Sequence, residues 1–204
     1  MKFYLSSYRI GSEVLELKKL ISDHGKLGFI PNALDYVEPK ARHESNEARL
    51  QDLVELGLNV ELLDLKSYFG RRKELQKKID SLSGVWVRGG NTFVLRQAMK
   101  LSGFDEVIKN LNRADFLYGG YSAGVCVLAP NLKSLEIVDD SSVKPYKELA
   151  ETIWEGLGIL DYLIIPHYKS DHPESADVDK TVEYCKLNKI NFKTLRDGEV
   201  IIIE

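Results

Sequence analysis

The chain has 204 residues, 44% of them hydrophobic and 29% charged, with a formal net charge of −3. That length predicts one domain over 1–204 with room for a sizeable core, and the composition excludes collagen-like and disordered chains. The slightly acidic balance argues against nucleic acid as a partner, no apolar run approaches the roughly 20 residues of a membrane span, and residues 1–7 lack the apolar stretch of a secretory signal. Two cysteines, Cys126 and Cys185, make no disulfide framework and read as reduced thiols of a cytoplasmic protein.

In chain order, residues 3–5 open as a strand. Residues 12–24 carry Val14, Leu15, Leu17, Leu20 and Ile21 at helical spacing, with Ser12 as N-cap and Gly25 as stop. A strand at 26–30 ends at Pro31-Asn32, a helix spans 43–56 before Gly57, and a strand follows at 59–65. A short charged helix covers 71–81, a strand 84–87 and a helix 91–100. A strand at 116–118 runs into Gly119-Gly120. Strands alternating with helices predict an α/β fold: a doubly wound, mostly parallel sheet with helices on both faces. Beyond residue 130 the strand candidates are 135–138, 163–165, 192–195 and 200–203. Asp197-Gly198 between the last two is a hairpin signal, so the C-terminal part is expected to add antiparallel strands at the sheet edge.

Ligands of open α/β sheets bind beyond the C-terminal ends of the strands, and two turns there stand out. Gly120-Tyr121-Ser122-Ala123-Gly124 fits Gly-x-Ser-x-Gly between a strand and a helix start. Small neighbours let a serine sit on a sharp turn, its hydroxyl at a helix N-terminus that favours an oxyanion. The plainer alternative is an N-capping serine. The second turn, Arg88-Gly89-Gly90-Asn91-Thr92-Phe93, follows strand 84–87. Its glycine amides are placed to meet an anion, or Asn91 or Thr92 caps the next helix. Of four histidines, His24 reads as a helix C-terminal residue and His43 as solvated. His167 closes the apolar strand Leu163-Ile164-Ile165-Pro166, at the edge where Ser122 belongs. A serine nucleophile needs such a neutral imidazole to take its proton. His172 is the runner-up.

Together, Gly89-Gly90-Asn91-Thr92-Phe93, Gly120-Tyr121-Ser122-Ala123-Gly124, Leu128-Ala129-Pro130-Asn131-Leu132, Gly156-Leu157-Gly158-Ile159-Leu160 and Ile165-Pro166-His167-Tyr168 resemble the peptidase E family of aspartyl dipeptidase-like serine peptidases. The likeness covers essentially the whole chain. It implies a class I glutamine amidotransferase-like fold with serine at the elbow, no metal and no cofactor. It also implies Ser122 as nucleophile, His167 as general base, and an oxyanion hole from the Ala123 amide and the Gly89-Gly90 turn. The family places a triad acid shortly after the elbow helix, where Ile137-Val138-Asp139-Asp140 gives Asp139 as first choice and Glu136 as rival. In a strand these two point to opposite faces, so only one would reach His167. Preference for an N-terminal aspartate would need a cation near the substrate carboxylate, for which Arg88 and Lys169 are available; Asn91 is a further substrate-binding candidate. The expected partner is a small peptide substrate, with neither nucleic acid nor membrane, and the protein a monomer or homodimer. Two other readings compete: a non-catalytic small-ligand-binding relative on the same fold, and an amidase of the glutamine amidotransferase-like class using Cys126.

Overall fold

Along the central strands, apolar residues of alternate parity serve two different cores, which is what a sheet covered on both faces requires. The computed structural model describes residues 1–21 and 25–204. The first strands and helices are β1 (Lys2–Ser6), α1 (Val14–Leu20), β2 (Lys26–Ile30), α2 (Pro39–Glu55), β3 (Asn59–Leu62), α3 (Arg72–Asp80), β4 (Gly84–Val87) and α4 (Thr92–Ser102). Then come α5 (Phe104–Lys109), β5 (Leu117–Tyr121), α6 (Ala123–Cys126), β6 (Leu163–Ile165), α7 (Ser175–Leu187), β7 (Phe192–Thr194) and β8 (Val200–Ile203). Tyr4, Phe29, Trp86 and Leu117 pack with Leu17 and Leu20 of α1 and Leu53 of α2 on one face. Phe3, Leu5, Val85, Val87 and Tyr118 pack with residues of α3, α4 and α5 on the other.

The six-stranded sheet has the order β3-β2-β4-β5-β1-β8. All pairs are parallel except β1–β8, which is antiparallel. The expected architecture is therefore present, with its antiparallel strand at the C-terminal edge. Register matters most for function. Ser6 pairs with Tyr121, Gly120 with Val87, and Val87 with Ile30. The C-terminal ends of four strands thus stand in one row, and the residues that follow them, Ser7, Ser122 and Arg88 among them, leave the sheet together.

Several local expectations shift. Helix α2 begins at Pro39 rather than at residue 43, because Glu38 accepts hydrogen bonds from the Lys40 and Ala41 amides and Pro39 fits the first turn. Glu13, not Ser12, precedes α1, without a side-chain cap. The proposed capping position of His24 lies outside the described residues. The segment 135–138, expected as a strand, instead forms the end of a 3₁₀-helix, Lys133–Ile137, with Val138 as its C-cap. The Asp197-Gly198 turn closes no hairpin: β7 pairs in parallel with β6 in a separate two-stranded sheet, while β8 pairs with β1. Among the described residues, no helix is long and apolar enough to cross a membrane.

Candidate active site

Strand β5 ends at Tyr121, α6 begins at Ala123, and Ser122 must make the entire turn between them. It does so at φ 50°, ψ −120°, in a region that a residue with a Cβ occupies only under strain of about 1–3 kcal/mol. Its side chain makes no capping hydrogen bond, so the hydroxyl is free of the structural duty that a simple N-cap would have. Close packing explains the flanking glycines. A Cβ on Gly89 would lie 2.8 Å from the Cβ of Ser122. One on Gly124 would collide with the Val87 carbonyl. Gly90 adopts φ 144°, open to glycine and strained for other residues. Among the described residues, neither the Gly90 nor the Ala123 amide donates to a backbone acceptor. These two N–H groups, one from each turn, remain available for an oxyanion.

His167 follows β6 with φ 60° and is 2% exposed. Its amide donates to Ser7 Oγ at 2.8 Å, and its Nδ1 lies 2.7 Å from Asp197 Oδ1. Ser7 Oγ also donates to Asp197 Oδ1 at 2.8 Å, and the Asp197 amide donates to Ser170 Oγ at 2.8 Å. One carboxylate oxygen is thus held by the ring it orients and by a hydroxyl at the end of β1. Burial pushes the imidazole below its ordinary value and the stacked His172 pushes the same way, while Asp197 opposes both. The ring is accordingly neutral near neutral pH, the state a general base requires.

The acid beside His167 is therefore neither Asp139 nor Glu136. Because residues 133–137 coil as a 3₁₀-helix, the strand alternation expected there does not exist. Glu136 pairs with Lys133 at 2.9 Å on the surface. Asp139 Oδ2 accepts the Thr92 amide at 2.8 Å, and burial raises its carboxyl to about 6. Asp197, which sequence reasoning took for part of a turn, meets the ring instead. Ser7 was missed as well; its only sequence signal is its place directly after a parallel strand.

Ser122 and His167 line an open pocket of about 370 Å³ together with Gly89, Gly90, Tyr121, Arg9, Arg49 and Arg88. Arg88 is 6% exposed, and its partners are neutral: the Gly89 carbonyl at 3.1 Å, Ser45 Oγ at 3.2 Å, and Asn46 Oδ1. Burial lowers its ordinary value, the mark of a cation held without a counter-charge. Asn91 is committed elsewhere: its Oδ1 caps α4 through the Phe93 and Val94 amides, and its Nδ2 donates to the Asp140 carbonyl. Lys169 lies over the Tyr168 ring rather than in the pocket. On the opposite side, Ser122, Ala123 and His167 border a tight, mostly apolar recess containing Asp139, Glu174 and Cys126. The Cys126 thiol contacts the Ile164 carbonyl at 3.5 Å, and burial pushes it well above its ordinary value, so it is poorly suited to act as a thiolate nucleophile.

A model of peptidase family S51 matches residues 11–204. An uncharacterised peptidase of Listeria monocytogenes is 32% identical over 162 residues, 79% of this chain and 75% of the relative. Peptidase E of Streptomyces coelicolor is 28% identical over 185 residues, 88% of this chain and 68% of the relative. The crystal structure of a candidate peptidase E from Listeria monocytogenes superposes with a TM-score of 0.77 at 27% identity, covering 99% of this chain and 93% of that one. A peptidase from an acI-B1 actinobacterium shares the fold, with a TM-score of 0.67 at 16% identity.

Proposed function

Since the chain belongs to peptidase family S51 and is a serine peptidase, we propose that it hydrolyses small acidic peptides, N-terminal Asp dipeptides in particular, through Ser122, His167 and Asp197. The carrying observation is the Asp197–His167 contact at 2.7 Å beside a serine with an uncommitted hydroxyl on a strained turn. In this reading Nε2 of His167 takes the Ser122 proton as the hydroxyl attacks the carbonyl. Asp197 on Nδ1 fixes the tautomer and stabilises the imidazolium. The Gly90 and Ala123 amides receive the oxyanion. His167 then protonates the leaving amine, and water releases the acyl group from Ser122.

The acidic preference is supported by Arg88. A buried guanidinium whose partners are all neutral gains most from a carboxylate, which it can bind bidentately. Arg9 and Arg49 line the same pocket; Arg49 is paired with Asp52 at 3.3 Å and Glu174 is also part of the lining, so the attraction for a carboxylate centres on Arg88.

A dipeptide panel with matched Ser122→Ala protein tests the reading, alongside mass analysis after treatment with a fluorophosphonate. Turnover of Asp-X substrates and a single adduct on Ser122 are expected, with both absent in the variant. A folded wild type that neither turns over any peptide nor forms the adduct would instead favour the non-catalytic binding alternative.

A further inference from the structure

Acyl transfer needs one imidazole, yet two stand at the pocket mouth. The rings of His167 and His172 are stacked, 3.8 Å between centroids and 9° between planes. Glu174 lies beside them, so that ligating atoms of all three residues fall within 4.8 Å of one another. We propose that His167, His172 and Glu174 form an inhibitory site for a divalent transition metal of the zinc class.

Two imidazoles and a carboxylate suit Zn²⁺ and its neighbours, whereas Mg²⁺ and Ca²⁺ prefer oxygen donors throughout. The Nδ1 of His167 is occupied by Asp197 at 2.7 Å, which leaves Nε2 as the donor. A carboxylate on the far nitrogen is also the arrangement that orients metal-bound histidines and raises their basicity. Between the other two residues, His172 Nδ1 and Glu174 Oε2 are 3.9 Å apart; the same Nδ1 accepts the Glu174 amide at 3.3 Å, a long hydrogen bond that ligation by His172 must displace. Ligands about 2.1 Å from a tetrahedral ion stand roughly 3.4 Å apart, so a small contraction brings the pair to bonding distance. Rings 9° from parallel hold their in-plane lone pairs in parallel planes, so a shared ion requires His172 to tilt toward His167. Its side chain is 19% exposed and that of Glu174 44%, so both can shift while the buried His167 keeps its place. The open pocket leaves a fourth position for water.

The consequence follows from the atom used. Nε2 of His167 is the site that would accept the Ser122 proton, and a lone pair bound to a metal cannot accept one. Occupancy therefore blocks nucleophile activation. This inhibitory effect rests on the peptidase reading above; the binding itself does not.

The full chain, freed of metal with a chelator, is titrated with ZnCl₂ by calorimetry and with CoCl₂ by visible absorption. One equivalent is expected to bind, with cobalt bands of a four-coordinate ion. His172→Ala and Glu174→Gln should each weaken binding about tenfold or more, with circular dichroism reporting that they are folded. Ser122→Ala should bind the metal normally although it lacks hydrolysis, which separates the two readings. In the wild type, the same zinc concentration should suppress peptide hydrolysis, and EDTA should restore it. No binding at millimolar zinc would overturn the proposal, as would binding that both His172→Ala and Glu174→Gln leave unchanged. Saturation of the site without loss of an established hydrolytic activity would overturn its inhibitory role.

Discussion

Replacing Asp139 by Asn should stabilise the protein in a pH-dependent way. The carboxyl is packed inside although the residue as a whole is half-buried. Desolvation raises it from 3.8 to about 6, against the opposing pull of the Thr92 hydrogen bonding, whose geometry is that of the amide at 2.8 Å. A carboxyl raised on folding contributes fully below the unfolded value, and that contribution is lost as pH rises through the folded one. Here the window runs from about pH 4 to about pH 6. At ~1.4 kcal/mol per tenfold change in proton affinity, charging Asp139 in the fold costs ~3 kcal/mol. Asn keeps an acceptor for the Thr92 amide and carries no charge. Any packing penalty of its amide is the same at every pH and cancels when two pH values are compared. The stability difference, variant minus wild type, should therefore grow by about 2–2.5 kcal/mol between pH 4 and pH 8, or roughly 4–10 °C in Tm for a chain of this size. Thermal melts of both proteins across that range provide the check. A difference that stays flat, or shrinks as pH rises, would show that Asp139 is not a strained buried acid.

Other expectations concern the site directly. Asp197→Asn should lower kcat by about 10³–10⁴-fold, because His167 loses the group that sets its tautomer, whereas Glu136→Gln, at the surface, should leave kcat/KM unchanged; steady-state kinetics compares them. Ser122→Gly should abolish turnover yet raise stability by about 1 kcal/mol, since glycine relieves the φ 50° strain; denaturant unfolding measures the gain. The acid limb of kcat/KM should have its midpoint below the ordinary histidine value of 6.5, because burial and His172 lower His167 and the neutral base survives to lower pH. Arg88→Gln should cut the preference for Asp-X over neutral dipeptides about tenfold or more, read as a ratio of kcat/KM values.

The sheet was legible because each buried strand carries its own apolar run and each crossover its own periodicity. Val85-Trp86-Val87 and the Gly-rich end of β5 leave little choice of element. Boundaries drifted where a single residue decided them, as when Glu38 and Pro39 moved the start of α2. The error at residues 133–138 was one of period: Leu135, Ile137 and Val138 are apolar enough for a strand, but a 3₁₀-helix buries Leu135 with the α7 residues Val178, Val182 and Cys185. Asp-Gly after an apolar run is locally a hairpin signal, and nothing local reveals that β7 and β8 belong to different sheets.

That error over topology is what concealed the acid beside His167. A hairpin turn would place Asp197 at a solvated tip, with nothing to bring it to His167. Once β7 joins β6 and β8 joins β1, the same turn must cross the row of strand ends, and Asp197 arrives at His167. Asp139 presents the converse case. It was singled out on family resemblance, yet it sits in the recess beside Ser122 without touching the base, at a cost to folding. A buried acid raised by desolvation and lining the same recess as Ser122 and His167 is the combination that marks a functional-site candidate. The pH-resolved melts of Asp139→Asn measure what that burial costs without depending on which substrate the enzyme takes.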